Sequence, residues 1–282
     1  MRSTLKIILL LLLGIGSITG LKAQGIRIPQ SSSGQTIIQD FGLGKITVKY
    51  FRPNTKGRKV FTELAPYGSV WRTGANNATV ITFTDNVTFE GQPVPAGEYS
   101  LFTIPGKDEW TVILNKITKQ WGAYEYKEAE DFLRVKVKPV PTKQYTETFS
   151  IGFVNVNPAK AQLQLLWEQT SVAVNLTTDI DAKVMASIDE AMKGEKKPYF
   201  QAAMYYYDTN KDLNKALEWM KIVENTNQKS PAIKFYLGRI QLKTGDKNAA
   251  TESAEAGLKL AVEAKDDEYA RLNRSLLAEI KK

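Results

Sequence analysis

The sequence predicts an all-β antiparallel sandwich or jelly-roll-like domain, residues 36–177, followed by an all-α domain, residues 178–282. The first observation is a series of about ten short segments with alternating apolar and polar residues, spaced by about 8–12 residues. The second is the lack of helix-length segments between them, which argues against a parallel α/β sheet. The third is a change of period at Thr178, after which apolar residues recur at helical spacing: Ile180, Val184, Ile188 and Met192.

The first 23 residues have the composition of a secretory signal peptide. Basic Arg2 and Lys6 precede an apolar run at residues 7–13, and small residues lead to Ala23, after which we expect cleavage. A membrane anchor is the alternative, but the apolar run is too short to span a bilayer comfortably. Without a cysteine, no lipid anchor can form at the cleavage site. We therefore predict a periplasmic or secreted protein with no membrane span after cleavage, and a flexible lead-in at residues 24–35.

The β domain is expected to begin with a hairpin and to continue through short strands. In the second strand Ile46, Val48 and Tyr50 alternate with polar residues, so that one face is buried and the other is wet. Two prolines keep residues 92–97 out of a strand centre, and we expect a tight turn at residues 169–171. The predicted strands are 36–41, 45–51, 79–84, 87–90, 98–104, 110–115, 133–140, 145–156, 161–168 and 172–176.

A long irregular segment, residues 50–79, separates the second and third predicted strands. Residues 45–72 contain seven basic residues and a single acid, Glu63. Such a segment in a compact domain is usually functional or disordered, and its aromatic residues argue against disorder. We therefore expect an ordered loop whose guanidinium groups bind an anionic or carbohydrate ligand. The candidate ligand-binding residues are Arg52, Lys56, Arg58, Tyr67, Trp71, Arg72, Asn76, Asn77 and Trp121.

These residues also allow a structural interpretation. The arginines of the loop can hold strands together by donating hydrogen bonds to backbone carbonyls or to acids. The aromatic residues can form a platform for sugar rings, or they can be ordinary core and rim residues: Trp71, Trp110, Trp121 and Tyr124. A binding site is favoured if four side chains converge on an open concavity: Arg52, Arg58, Arg72 and Asn76.

The absence of cysteine and histidine from the sequence excludes several chemistries. Disulfides, thiol or Ser-His-Asp nucleophiles and ordinary zinc sites are not possible, and we predict no catalytic residues, no metal and no cofactor. The formal net charge of +8 is not concentrated enough to indicate nucleic-acid binding. The alternative function is a carboxylate-dependent envelope hydrolase acting on glycans, which needs two carboxylates about 5–10 Å apart. Its candidate residues are Glu98, Glu125, Glu128, Glu130 and Asp131.

Four blocks of the β domain resemble a known family. Residues 52–58, Arg-Pro-Asn-Thr-Lys-Gly-Arg, and residues 121–124, Trp-Gly-Ala-Tyr, are two of them, and residues 66–79 and 95–105 are the others. Together they are similar to the signature of DUF2911, a bacterial family of unknown function. The resemblance extends over residues 36–175 and implies a secreted bacterial β domain. The family has no established activity, so the resemblance implies no site residue.

The helical region contains a repeat. Residues 211–216 align with residues 245–250 at an offset of 34 residues, and this period resembles that of the tetratricopeptide repeat, although its usual aromatic positions are only partly present. A final helix at residues 266–281 is expected to cap the stack. Modules built from helix pairs commonly present a concave surface to a peptide or protein, so we expect a protein partner here. The candidate partner-binding residues are Tyr206, Tyr207 and Tyr236. The favoured function is thus an exported, non-catalytic binding or scaffold protein.

Overall fold

The structure, a computed structural model, describes residues 28–282. The predicted signal peptide, residues 1–23, lies outside the described residues, as does the first part of the lead-in. The chain divides into two compact units, one ending at Asp179 and the other running from Ile180 to Lys282. None of the helices between residues 28 and 282 combines the length and apolar character that a membrane crossing needs.

The described part of the first unit contains two antiparallel sheets. The six-stranded sheet has the strand order β1-β2-β3-β6-β7-β8, and the four-stranded sheet has the order β5-β4-β10-β9. The strands are β1 Ser33–Phe41, β2 Gly44–Arg52, β3 Thr79–Phe83, β4 Val87–Phe89, β5 Gln92–Val94, β6 Gly97–Ile104, β7 Trp110–Asn115, β8 Asp131–Val137, β9 Val140–Asn157 and β10 Lys160–Thr177. The predicted antiparallel β domain is therefore confirmed.

The two sheets enclose one hydrophobic core, which forms because apolar residues alternate along the strands. In β2, Ile46, Val48 and Tyr50 are buried while Lys45 and Lys49 are exposed, as the alternation predicts. The largest fully buried side chains of this core come from both sheets: Ile46, Ile81, Phe83, Phe89, Leu101, Leu114, Phe149, Leu163, Leu165 and Leu176. The outer face of the six-stranded sheet, away from this core, has a smaller cluster around Ala78, Phe102 and Ile113.

The structure corrects three details of the prediction. Residues 169–171 form no turn but lie within β10, which pairs with β9 through register shifts on both sides of Glu168. These bulges bend a long strand without ending it. Residues 92–97, predicted to lie outside any strand centre, include the short edge strand β5, in which Pro93 is opposite Thr88. The lead-in is shorter than predicted, because β1 begins at Ser33 and pairs with Arg52.

The described residues of the second unit form six α-helices: α1 Asp181–Ala191, α2 Tyr199–Asp208, α3 Leu213–Thr226, α4 Pro231–Lys243, α5 Lys247–Glu263 and α6 Asp267–Ile280. The predicted helical region is confirmed. Asp212 and Asp246, which are 34 residues apart, each cap a helix by accepting hydrogen bonds from its first amide groups. The repeat in the sequence therefore corresponds to two equivalent helix starts, at α3 and α5. Membership of the tetratricopeptide family stays a prediction.

Candidate functional site

The first half of the irregular loop is bonded to the four-stranded sheet. Arg52 ends β2 with its side chain toward β9, where Nε donates to the Phe149 carbonyl at 3.1 Å and Nη2 donates to Ser150 Oγ at 2.6 Å. Arg58 donates to two carbonyls of its own loop, those of Thr55 at 3.0 Å and Asn54 at 2.9 Å. For these two arginines the structure thus favours the structural interpretation over ligand binding.

Glu147 on β9 holds the same part of the loop. The hydroxyl of Thr55 and the backbone amide of Lys56 both donate to its carboxylate, the latter at 2.8 Å. These hydrogen bonds, the one from Thr55 first, lower the pKa of Glu147 below its ordinary value. Lys56 itself is exposed and has a positive φ of 49°. Its position is therefore set by its backbone amide, at the loop's attachment to β9.

Two of the four residues of the predicted aromatic platform, Trp71 and Trp110, belong to the core. Trp71 is 6% exposed and stacks on Trp167 with ring centroids 5.2 Å apart, and Trp110 is 3% exposed. Tyr67 is partly exposed but stacks on Phe61 at 5.3 Å, beside the end of β6. These aromatic residues are therefore placed as packing residues.

A second irregular loop, residues 116–127, brings the remaining candidates together. Its backbone bonds to the end of the first loop: the Ala78 amide donates to the Gln120 carbonyl at 3.0 Å, and the Gly122 amide donates to the Asn76 carbonyl at 3.0 Å. The side chain of Trp121 is 63% exposed beside Asn77, with which it forms an isolated β-bridge. We call the resulting patch the Arg72 surface; it comprises Arg72, Asn76, Asn77, Trp121 and Tyr124.

Because Gly122 has no side chain, Arg72 of the first loop and the Tyr124 ring can both lie close to its backbone. It has a φ of +69°, and a Cβ at this position would lie 3.2 Å from Arg72 Nη1 and 2.6 Å from the Tyr124 ring. A residue with a side chain would therefore be strained in its backbone, its Cβ would overlap the Tyr124 ring, and it would make a tight contact with Arg72 Nη1. The glycine predicted as part of a family signature thus has a local physical reason.

Arg72 differs from Arg52 and Arg58 in its bonding. Its guanidinium makes no hydrogen bond and no ion pair to the residues that the structure describes, and its Nε is buried without a partner. A guanidinium normally donates to carboxylates or carbonyls when it is partly buried. Among residues 28–282, Arg72 therefore differs from Arg52 and Arg58 in having a guanidinium without a hydrogen-bond partner.

A groove on the outer face of the six-stranded sheet adjoins the Arg72 surface. We call it the outer groove; its volume is about 360 Å³ and it is lined by Gly34, Gln35, Thr36, Lys49, Tyr50, Phe51, Asn77, Ala78 and Val80. Lys49 is exposed, and its side chain makes no hydrogen bond or ion pair within residues 28–282. A Cβ on Gly34 would lie 3.4 Å from the Phe51 ring, so the glycine leaves that ring uncovered. Asn77 belongs to both the groove and the Arg72 surface.

The groove residues other than Asn77 were not among the predicted ligand-binding residues. The sequence shows that Lys49 faces away from the core, but it does not show which residues of β1 and β3 lie beside it.

Comparison with protein families shows what the chain is similar to: a family model described as "Protein of unknown function (DUF2911)" matches residues 32–176. The chain belongs to the DUF2911 family. No curated protein and no solved structure matches it at a significant level.

We call the first unit, which ends at Asp179, the DUF2911 unit. Two of the acids named for the hydrolase alternative, Glu128 and Asp131, are bonded within this unit. Asp131 accepts hydrogen bonds from Arg134 Nε at 2.6 Å, from the Tyr126 hydroxyl at 2.6 Å and from Asn115 Nδ2 at 2.9 Å. Burial, followed by the hydrogen bond to Asp131, raises the pKa of Tyr126 to about 12. Glu128 pairs with Arg134 at 3.1 Å.

The other acids of the hydrolase alternative lie apart from this network. Glu98 and Glu125 are exposed, one on β6 and one in the second irregular loop. Among the described residues no three acidic side chains are grouped so that they could hold a metal ion. No observation on residues 28–282 favours the hydrolase alternative.

The helical unit separates its three candidate tyrosines. Tyr206 is 6% exposed and packs against Trp219 at 4.9 Å, while Tyr236 packs between Phe200 and Phe235. Tyr207 alone of the three borders a pocket of about 320 Å³, which is lined by Tyr207, Arg239, Leu242, Lys243, Leu276 and Glu279. Its ring contacts two cations, with Lys243 Nζ 4.4 Å and Arg239 Cζ 4.8 Å from the centroid.

Proposed function

We propose that the DUF2911 unit is a non-catalytic binding module whose outer groove takes a small anionic or carbohydrate ligand. The observation that supports this is a groove of about 360 Å³ that is lined by Lys49, a cation with no partner among the described residues. Its volume lies in the range of small-molecule sites, and its lining combines an aromatic ring with a few polar groups, as such sites do.

Two neighbouring features support the same proposal. Arg72 is a second cation without a partner in the described chain, and it belongs to a surface that shares Asn77 with the groove. The indole of Trp121 is exposed beside Asn77, and exposed aromatic faces bind the apolar face of sugar rings. A cation, an amide and an aromatic face within one surface therefore favour a charged or hydroxyl-bearing ligand over an apolar one.

Binding can be tested by filling the groove. Gly34→Val places a branched side chain against the Phe51 ring, and Gly34 does not need a left-handed backbone. The control is Gly152→Val on β9, where a Cβ would meet no atom within 4 Å. Isothermal titration of the purified chain with neutral sugars, uronic acids and dicarboxylates should show binding that is lost in Gly34→Val and kept in Gly152→Val. No binding by any of these compounds, or equal binding by both variants, would contradict the proposal.

We further propose that the protein is exported, because of the composition of residues 1–23. N-terminal sequencing of the protein from the periplasmic and extracellular fractions of its native cells should begin at Gln24. A chain recovered only with Met1, from the cytoplasm, would contradict this part of the proposal.

For the helical unit we propose a protein partner that contacts the pocket beside Tyr207. The two cations over the Tyr207 ring support it, because Lys243 Nζ donates only to the Tyr207 carbonyl, at 2.7 Å, and neither Arg239 nor Lys243 forms an ion pair among the described residues. Selection of a displayed peptide library on the whole chain should yield peptides that no longer bind Arg239→Ala but still bind the exposed-site control Arg274→Ala. Peptides that bind both variants equally would contradict this.

A further inference from the structure

The second irregular loop, residues 116–127, exposes three large apolar side chains to solvent. Tyr124 is 83% exposed, Trp121 is 63% exposed and Ile117 is 45% exposed. Single exposed apolar residues are common on protein surfaces, but several on one loop mark a surface that contacts another molecule. None of the three lines the outer groove, so a ligand within the groove would leave Ile117 and Tyr124 exposed.

The backbone of this loop is held in place, and so are the apolar side chains that it carries. Gln120 Nε2 donates to the Ile117 carbonyl at 2.8 Å, which folds the first half of the loop on itself. The Gly122 amide donates to the Asn76 carbonyl at 3.0 Å, which ties the second half to the first irregular loop. The Tyr124 ring lies against Gly122, where a Cβ would be 2.6 Å from it. The exposed rings therefore belong to an ordered part of the DUF2911 unit.

The same loop is positively charged. Three lysines are exposed, and their side chains make no hydrogen bond or ion pair to residues 28–282: Lys116, Lys119 and Lys127. The loop has one acid, Glu125. In the turn that follows, Glu128 pairs with Arg134 at 3.1 Å, which leaves Glu130 as a second acid without an ion pair in the described chain. Together with Arg72 of the first loop, the cations outnumber these acids and give the surface a positive potential.

We propose that residues 116–127 dock the DUF2911 unit on an anionic lipid surface. Indole and phenol groups have an apolar body and a polar tip, and they are enriched at the level of the lipid headgroups for that reason. Exposed lysines are attracted to acidic phospholipids, and each increases the affinity by about fivefold. Their aliphatic stems can lie along the apolar boundary while their ammonium groups stay in water. The loop supplies both kinds of side chain.

A protein partner fits this mixture less well. The centre of a protein–protein interface is depleted of lysine, because an ammonium group buried there loses its water. In the loop every exposed apolar side chain has a lysine at most three positions away in the sequence. A lipid surface accommodates such a pattern, since acyl chains and phosphates lie side by side at its boundary. This inference goes beyond the proposed function and does not depend on the ligand of the groove.

The test is co-sedimentation with vesicles of the chain that begins at Gln24, so that the apolar run of residues 7–13 does not contribute. One set of vesicles contains phosphatidylglycerol and phosphatidylcholine in equal parts, and the other contains phosphatidylcholine alone. The chain should bind the anionic vesicles at least about tenfold more tightly, and about 0.5 M salt should weaken this binding because exposed lysines are screened. Equal binding to both sets, or binding to neither, would overturn the proposal.

Substitutions then assign the contact to the loop. Trp121→Ala combined with Tyr124→Ala should weaken binding to the anionic vesicles by about tenfold or more, because two rings no longer enter the boundary. Lys119→Gln should weaken it by about fivefold, whereas Lys259→Gln, at an exposed lysine of α5 without an ion pair among the described residues, should not. Equal loss in the two lysine variants would indicate attraction by net charge alone and would overturn the assignment.

Fluorescence quenching by brominated phosphatidylcholine, included in the anionic vesicles, distinguishes insertion from loose attraction. Trp121 is exposed, whereas the other four tryptophans are at most 7% exposed. Quenching should therefore occur in the native chain and be lost in Trp121→Phe, which keeps an aromatic ring. Quenching that persists in this variant would contradict insertion of the loop. If neither set of vesicles binds and the double alanine variant instead loses a protein captured from the envelope of its native cells, the surface belongs to a protein partner and the proposal fails.

Discussion

Replacing Arg52 by Met should destabilise the DUF2911 unit much more than replacing Arg72 by Met. Arg52 donates to the Phe149 carbonyl at 3.1 Å and to Ser150 Oγ at 2.6 Å, which connects the two sheets. Hydrogen bonds from charged groups contribute about 1.5–3 kcal/mol each, and the lower value suits a half-buried side chain, which gives a loss of about 3 kcal/mol. In a unit of this size that corresponds to a decrease in melting temperature of roughly 6–12 °C.

Arg72 is the matched comparison, because it lies in the same loop and its guanidinium has no partner among residues 28–282. Met keeps an apolar stem of similar length, so the free energy of unfolding should change by no more than about 0.5 kcal/mol. Urea unfolding followed by tryptophan fluorescence measures both variants, since four of the five tryptophans belong to this unit. Equal destabilisation by the two substitutions would refute the distinction between a bonded and a free guanidinium.

Three further outcomes are expected in the DUF2911 unit. The pKa of Glu147 is lowered, so its contribution to stability is present above the ordinary value of 4.5 and is lost as the pH falls through the lower, folded value; Glu147→Gln should flatten the decrease in melting temperature with acid. The pKa of Tyr126 is raised from 10.0 to about 12, so its contribution is present below 10.0 and is lost as the pH rises toward 12; Tyr126→Phe should flatten the alkaline decrease. Gly122→Ala should lower the free energy of unfolding, measured in urea, by more than about 1 kcal/mol, whereas Gly91→Ala, which has a similar φ but open space, should lose only the backbone part.

Part of the fold was accessible from local patterns. The alternation of Ile46, Val48 and Tyr50 with exposed lysines predicted a strand with one buried face, and β2 has that burial pattern. The strand Trp110–Asn115 begins and ends where its composition predicts. Both follow because the side chains of a strand alternate between its faces whatever the strand pairs with. The change of period at Thr178 likewise predicted the helical unit.

Other features depend on pairing between distant residues. The polar stretch at residues 169–171 has the composition of a turn, yet its pairing with β9 keeps it within a strand. Trp71 and Trp121 have the same side chain, but one stacks in the core on Trp167 and the other is exposed on a loop. A local pattern contains no information on such partners, since Trp71 and Trp167 are 96 residues apart in the sequence.

The sequence by itself determined the β-then-α order of the chain, its membership of the DUF2911 family, and the absence of cysteine and histidine chemistry, since each of these depends only on composition, period and motif. The tertiary structure decided which basic residues of the loop are bonded and which are free. Arg52 meets a carbonyl nearly a hundred positions further along the chain, whereas the Arg72 guanidinium meets none among residues 28–282. The physical reason is that the hydrogen-bond partners of a guanidinium are set by which strands lie side by side, and only the folded sheets determine that.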